Sequence, residues 1–109
     1  MNLDDYQSAA MRTAAPASKN MHRIHAALGL TGEAGEFADA VKKATIYRQP
    51  LDVNNLREEI GDILWYCALA AHSIDANLAE IAAENIAKLA RRYPEHYTDR
   101  LAADRLDKR

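Results

Sequence analysis

Two pairs of acids sit three residues apart at places where a helix should bury apolar surface: Glu33 with Glu36 in the motif GEAGE, and Glu59 with Asp62 in EEIGD. Residues at i and i+3 share one helix face, so each pair can clamp one cation. At about 100° per residue, Leu56, Ile60, Ile63, Leu64, Cys67, Ala70 and Ala71 form the apolar arc of the third helix. Glu59 falls on the flank of that arc, between Tyr66 and Ala70, and Asp62 lies between Leu69 and Tyr66. Glu58 points away and reads as ordinary solvated charge. On the second helix Leu30, Phe37, Val41 and Ala44 define the stripe, with Glu33 at its edge and Glu36 about 60° further round. If the helices break near Ala44 and Asn54, Glu36 and Asp62 stand at the same height, about 12 Å along antiparallel axes. Acidic pairs on helices are usually solvated faces, but these angular positions draw four carboxylates into one cleft. Repulsion and desolvation then demand protonation or a bound cation. An all-oxygen ligand set of Glu33, Glu36, Glu59 and Asp62 points to Mg²⁺, with Mn²⁺ possible, rather than zinc. A carboxylate-bridged di-iron bundle needs Glu-x-x-His on two helices, and neither motif offers a histidine.

The rest of the chain reads as helix. Of its 109 residues 49% are hydrophobic and only 6% aromatic, with four glycines and three prolines. That profile predicts an all-α fold of a single domain, with a core over about 2–94 and a charged tail over 95–109. The spacing predicts helices from Asn2 to Ala14, from about Met21 to Ala44, from an Asp52 or Asn55 cap to about His72, and from an Asp75 cap to near Tyr93, where Pro94 disfavours helix. The tail, with Leu101 and Leu106, is either a short docked helix or a frayed end. Gly29, Gly32 and Gly35 lie inside the second helix, where each costs about 1 kcal/mol relative to Ala, so something other than propensity must retain them.

A net charge of −2 gives no basic footprint for a nucleic acid polymer. The single cysteine, the acidic start MNLDDYQ and the lack of an apolar run of about 20 residues predict a soluble cytoplasmic protein without a membrane partner. The four histidines have no metal-ligand spacing and read as structural or surface groups. Cys67, on the apolar arc, reads as core. Trp65 lies opposite that arc, so the third helix is apolar nearly all round. A chain this small cannot bury both sides, which predicts a homodimer or homotetramer through faces that include Trp65 and Leu69.

Asn85, Lys88 and Arg92 recur at i, i+3 and i+7 on the face of Ile81 and Leu89, whereas Arg91 points elsewhere. Cations near a helix C-terminus also favour its dipole or snorkel from an apolar face. Beside a carboxylate-bound Mg²⁺ they gain a purpose, since polyphosphate chemistry needs metal on one side and fixed cations on the other.

The segments ALGLTGEAGEFADAVKK, LREEIGDILWYCALAA and ENIAKLARRYP together resemble the MazG-like branch of the all-α nucleoside triphosphate pyrophosphohydrolases, over about Tyr6 to Pro94. The resemblance implies a four-helix MazG-like bundle that hydrolyses a nucleoside triphosphate between its α and β phosphates, giving a monophosphate and pyrophosphate. It implies Glu33, Glu36, Glu59 and Asp62 as metal ligands, Lys88 and Arg92 as phosphate contacts and Asn85 as a lining residue. Glu36 is the candidate base, and Tyr6 and Gln7 are candidate contacts to the nucleobase. Many members carry a further Glu just before the first pair, where this chain has Gly32, so the number of magnesium ions stays open. The alternative reading is a non-catalytic helical oligomer that binds nucleotide or protein and keeps the acids as a structural cation site.

Overall fold

A computed structural model describes residues 1–105; Leu106, the outer apolar residue of the tail, lies outside the described residues. Among them are five helices and no strands: α1 (Leu3–Met11), α2 (Lys19–Thr45), α3 (Val53–Ser73), α4 (Leu78–Arg92) and α5 (Asp99–Asp104). The all-α class is therefore correct. None of these helices is long and apolar enough to cross a membrane.

Local chemistry sets each helix start. The Asn2 side chain accepts the Asp5 N–H at 2.8 Å and Ser18 Oγ accepts that of Met21 at 3.1 Å, each an N-cap that satisfies one orphan donor. For α3 the cap is Asp52, whose Oδ1 accepts the Asn55 N–H at 3.0 Å. Asn55 lies inside the first turn, so the alternative cap at Asn55 is not used.

Asp75 does not cap α4. It takes a left-handed conformation, φ 56°, in the turn that follows α3, and its carboxylate pairs with Lys19 at 3.1 Å. The first N–H of α4 is satisfied instead from α1: Gln7 Oε1 accepts the Leu78 N–H at 2.7 Å, while Gln7 Nε2 donates to Ala76 O at 3.1 Å. Asn77 Nδ2 adds a bond to Asp4 Oδ1 at 2.6 Å. Pro94 follows the end of α4, as expected from its missing N–H.

The backbone divides into two compact units, Met1–Leu78 and Ala79 onward. In the first, α2 and α3 form an antiparallel hairpin against which α1 packs, mainly on α3. Its buried apolar residues are four alanines, Ala10, Ala26, Ala68 and Ala71, and one large side chain, Leu69. The outcome departs from the expected arc of α3. Ile60 is 55% exposed and Leu64 is exposed as well, whereas Glu59, Ala68, Leu69 and Ala71 are buried. A helix apolar all round has only one side covered by a hairpin partner, and here the covered side is the one that carries the acids. Leu69 is fully buried within the chain, so it cannot also serve as a self-association face. Trp65 is half-buried, its indole N–H spent on Thr13 Oγ1 at 2.8 Å.

Two of the histidines act inside the fold. His22 is buried with Nε2 2.9 Å from Ala15 O, and its ring lies 5.5 Å from that of His72. Burial and the Lys19 charge hold His72 below its ordinary pKa. Burial pushes the Cys67 thiol up, in keeping with a packed rather than reactive cysteine. In the second unit, Thr98 caps α5, so the tail contains a short helix.

Candidate functional site

The α2–α3 hairpin brings Glu33, Glu59 and Asp62 together, with one carboxylate oxygen from each lying within 4.8 Å of the others. Glu59 is 9% exposed, Glu33 is half-buried and Asp62 is exposed, so the group grades from core to solvent. Glu58 is exposed, as its phase requires. Glu36 is exposed beside Glu59 and is not among the three acids whose oxygens converge.

The electrostatics record the crowding. The Glu33 carboxyl beside it, together with burial and the Glu36 charge, pushes the Glu59 pKa up from 4.5 to about 7. Even so, Glu33 Oε2 and Glu59 Oε2 are buried without a hydrogen-bond partner. Buried carboxylate oxygens are costly when unsatisfied, and two of them aimed into one group of acids fit a cation ligand better than a structural hydrogen-bond network. The donors are all carboxylate, the set suited to a hard divalent ion.

Beside the acids opens a cleft of about 690 Å³. Gly32, Gly35, Glu36, Asp39 and Lys43 line it from α2, and Asp52, Asn55 and Glu59 line it from α3. This explains two of the three glycines of α2. A Cβ at Gly32 or at Gly35 would meet nothing within 4 Å, so these residues keep the α2 face bare where the cleft opens. At Gly29 the reason is different, because an added Cβ would run into the ring of Tyr66. Among the described residues Lys43, paired to Asp39 at 2.9 Å, is the one lysine on the cleft wall. Sequence reasoning passed over it, although its distance of seven residues from Glu36 places both on one face.

Tyr6 and Gln7 part ways. Burial, then Cys67 and the Asp62 charge, push the Tyr6 hydroxyl up, which puts that residue within electrostatic reach of the acids. Gln7 has both ends of its amide committed to the turn before α4, so its expected contact to a base is replaced by a structural clip. In the second unit, Lys88 and Arg92 are half-buried on α4 and Asn85 is exposed; the Arg92 guanidinium lies 5.8 Å from the Tyr93 ring centroid.

Fold and acids define an all-α protein with a carboxylate centre fit for a hard cation. The chain belongs to the family of the MazG nucleotide pyrophosphohydrolase domain, whose model matches residues 23–97. It is 36% identical over 103 residues to the Gene 37 protein of Mycobacterium phage L5, a match covering 84% of this chain and 89% of that one. No solved structure matches. At the level of the family, the activity is nucleotide pyrophosphohydrolysis.

Proposed function

We propose that this protein hydrolyses a nucleoside triphosphate, ribo or deoxy, at the α–β phosphate bond in a Mg²⁺-dependent reaction, releasing a nucleoside monophosphate and pyrophosphate. The observation that carries the reading is the pair of buried, unpartnered oxygens on Glu33 and Glu59, turned into a group of carboxylates in a chain of this family. Glu33, Glu36, Glu59 and Asp62 would hold the ion, Mg²⁺ or Mn²⁺. Bound there, it supplies positive charge against the phosphate oxygens and balances the acids that otherwise repel one another.

The chain's own groups divide the remaining work. Glu36, exposed on the cleft, would orient a water and take its proton. The water oxygen attacks the α-phosphorus in line, the bond from that phosphorus to the α–β bridging oxygen breaks, and the electron pair leaves with pyrophosphate. Lys88 and Arg92, with Asn85 beside them, hold the phosphates; their assignment rests on the sequence pattern and the resemblance. The protein works as a homo-oligomer in the nucleotide pool of the cytoplasm, with no nucleic acid polymer or membrane as partner.

Incubation of the purified chain with a panel of standard and modified (d)NTPs tests the proposal. Pyrophosphate and monophosphate should appear, without orthophosphate, from at least one substrate and only with Mg²⁺ or Mn²⁺ present. Inactivity across the panel while the metal is demonstrably bound would favour the non-catalytic oligomer.

A further inference from the structure

Tyr66 lies directly on the α2 backbone. A Cβ added at Gly29 would fall against its Cε1, Cδ1 and Cζ atoms, inside any distance that real Cβ atoms tolerate. Two neighbouring rings pack against it. His25, one turn before Gly29, meets it edge-on at 5.4 Å between centroids, and Trp65 meets it at 5.1 Å with perpendicular planes. The indole is anchored in turn, since its N–H donates to Thr13 Oγ1 at 2.8 Å and that hydroxyl donates to Ala10 O at 2.6 Å. The contact also stands beside the acids. Gly29 precedes Glu33 by four residues, and Tyr66 follows Asp62 by four and Glu59 by seven, so glycine, ring and carboxylates share the facing sides of the two helices. One helical turn, about 6 Å of rise, separates the contact from the acidic group.

We propose that the Tyr66 ring seated on Gly29 is the spacer that sets the separation of α2 and α3 at the acidic group, which makes Tyr66 a positioning residue for a divalent cation. This rests on the reading of Glu33, Glu59 and Asp62 as its ligands. The separation of packed helices is fixed by the side chains at their contact. A rigid ring against a glycine defines that thickness more sharply than flexible side chains do. Mg²⁺ demands near-octahedral oxygens at about 2.0–2.1 Å, so a small change in helix separation weakens it although every ligand remains. The spacer also accounts for a helical glycine that the cleft does not require.

Calorimetric titration of Mg²⁺ into the full chain, with thermal melts followed by circular dichroism, tests the spacer. Gly29→Ala, which pushes the helices apart, and Tyr66→Ala, which lets them close, should each weaken Mg²⁺ about tenfold while remaining helical. In the double variant the second substitution should add less than about threefold, because both act on one contact. Tyr66→Phe keeps the ring and should bind like wild type. Gly61→Ala, whose Cβ meets nothing within 4 Å, should do so too. Wild-type affinity in folded Gly29→Ala, independent multiplication of the two effects, or a loss in Tyr66→Phe equal to that in Tyr66→Ala would each overturn the proposal. Should Gly29→Ala fail to fold, the Tyr66 variants decide: loss in Ala with retention in Phe upholds the spacer, and wild-type affinity in Tyr66→Ala removes it. A wild-type chain that takes up neither Mg²⁺ nor Mn²⁺ defeats the metal-site reading itself, a result distinct from all of these.

Discussion

Glu59 sits almost out of solvent with two other carboxylates against it, and its pKa of about 7 is the consequence. The unfolded chain releases this proton near 4.5, whereas the folded, metal-free chain holds it until about 7. A raised folded-state pKa gives a contribution to stability that is complete below 4.5 and is lost as the pH rises through about 7. Mg²⁺ must displace the same proton, so its apparent affinity should rise about tenfold per unit between pH 5 and 7 and then level off. Calorimetry in buffers of different ionisation enthalpy checks this, because close to one proton should be released per ion at pH 6 and few above pH 8. Neutral substitutions separate the acids further. Without metal, Glu59→Gln or Asp62→Asn should leave the melting temperature unchanged or raise it, since a like-charge repulsion disappears while shape is kept. With Mg²⁺ at a hundredfold excess over its dissociation constant, wild type should gain about 2.7 kcal/mol and these variants much less. Glu58→Gln, on the exposed side, should match wild type in both conditions. A magnesium shift lost in Glu58→Gln but kept in Glu59→Gln would reverse the site assignment.

Helix phase made the acids legible before any coordinates, because Glu59 and Glu58 differ by about 100° around α3 and only one of them can turn inward. The caps at Asn2 and Asp52 were legible for a similar reason, since a short polar side chain three residues before a free N–H has one obvious use. Contacts between distant segments were not legible. Gln7 and Leu78 are 71 residues apart, and nothing local announces that an α1 amide replaces the cap expected from Asp75. Nor does periodicity tell which side of an all-apolar helix its partner covers, which is why Ile60 and Leu64 were placed inward. The glycines were a signal without an address: propensity showed that Gly29, Gly32 and Gly35 needed a reason, and only packing distinguishes a ring contact from an open cleft. Two predictions belong to the elements. Gln7→Ala removes two bonds from the α1 clip and should destabilise the chain by about 1–3 kcal/mol in urea melts, with nucleotide affinity unchanged. A large loss of affinity in that variant would return Gln7 to the base site. Gly35→Ala should instead stabilise by about 1 kcal/mol, because its Cβ enters open space in mid-helix. If the cleft receives substrate, KM should rise even as the melting temperature does.

The whole molecule raises two questions that single residues do not. The first is how a protein with four acids around one cleft would hold the anionic triphosphate proposed as its substrate. Lys88→Ala and Arg92→Ala should weaken triphosphate binding more than monophosphate binding if these residues meet the outer phosphates. Equal losses for both ligands, measured in the presence of Ca²⁺ to suppress turnover, would assign them to packing at the end of α4. The second question is how the chain lives with its own surface. Leu28 is 70% exposed and Ile60 55%, and Met21, Ile24 and Leu64 are exposed with them, while among the described residues the fully buried side chains include only one large apolar group, Leu69. Met21, Ile24 and Leu28 recur at i, i+3 and i+7 and form a stripe along α2, and Ile60 and Leu64 form another on α3. On a chain too small for a thick core, exposed apolar stripes of this kind are what the proposed homo-oligomer would cover, and homodimer interfaces are the more apolar class. Light scattering at micromolar concentration should therefore give a multiple of 12.1 kDa. The melting temperature should rise with protein concentration, because association stabilises the folded state by mass action. Leu28→Lys and Ile60→Lys should lower the mass toward one chain, whereas Trp65→Phe should not, its indole being turned to Thr13 within the chain. A wild-type mass of 12.1 kDa under these conditions would end the oligomer proposal and leave the exposed stripes without a role.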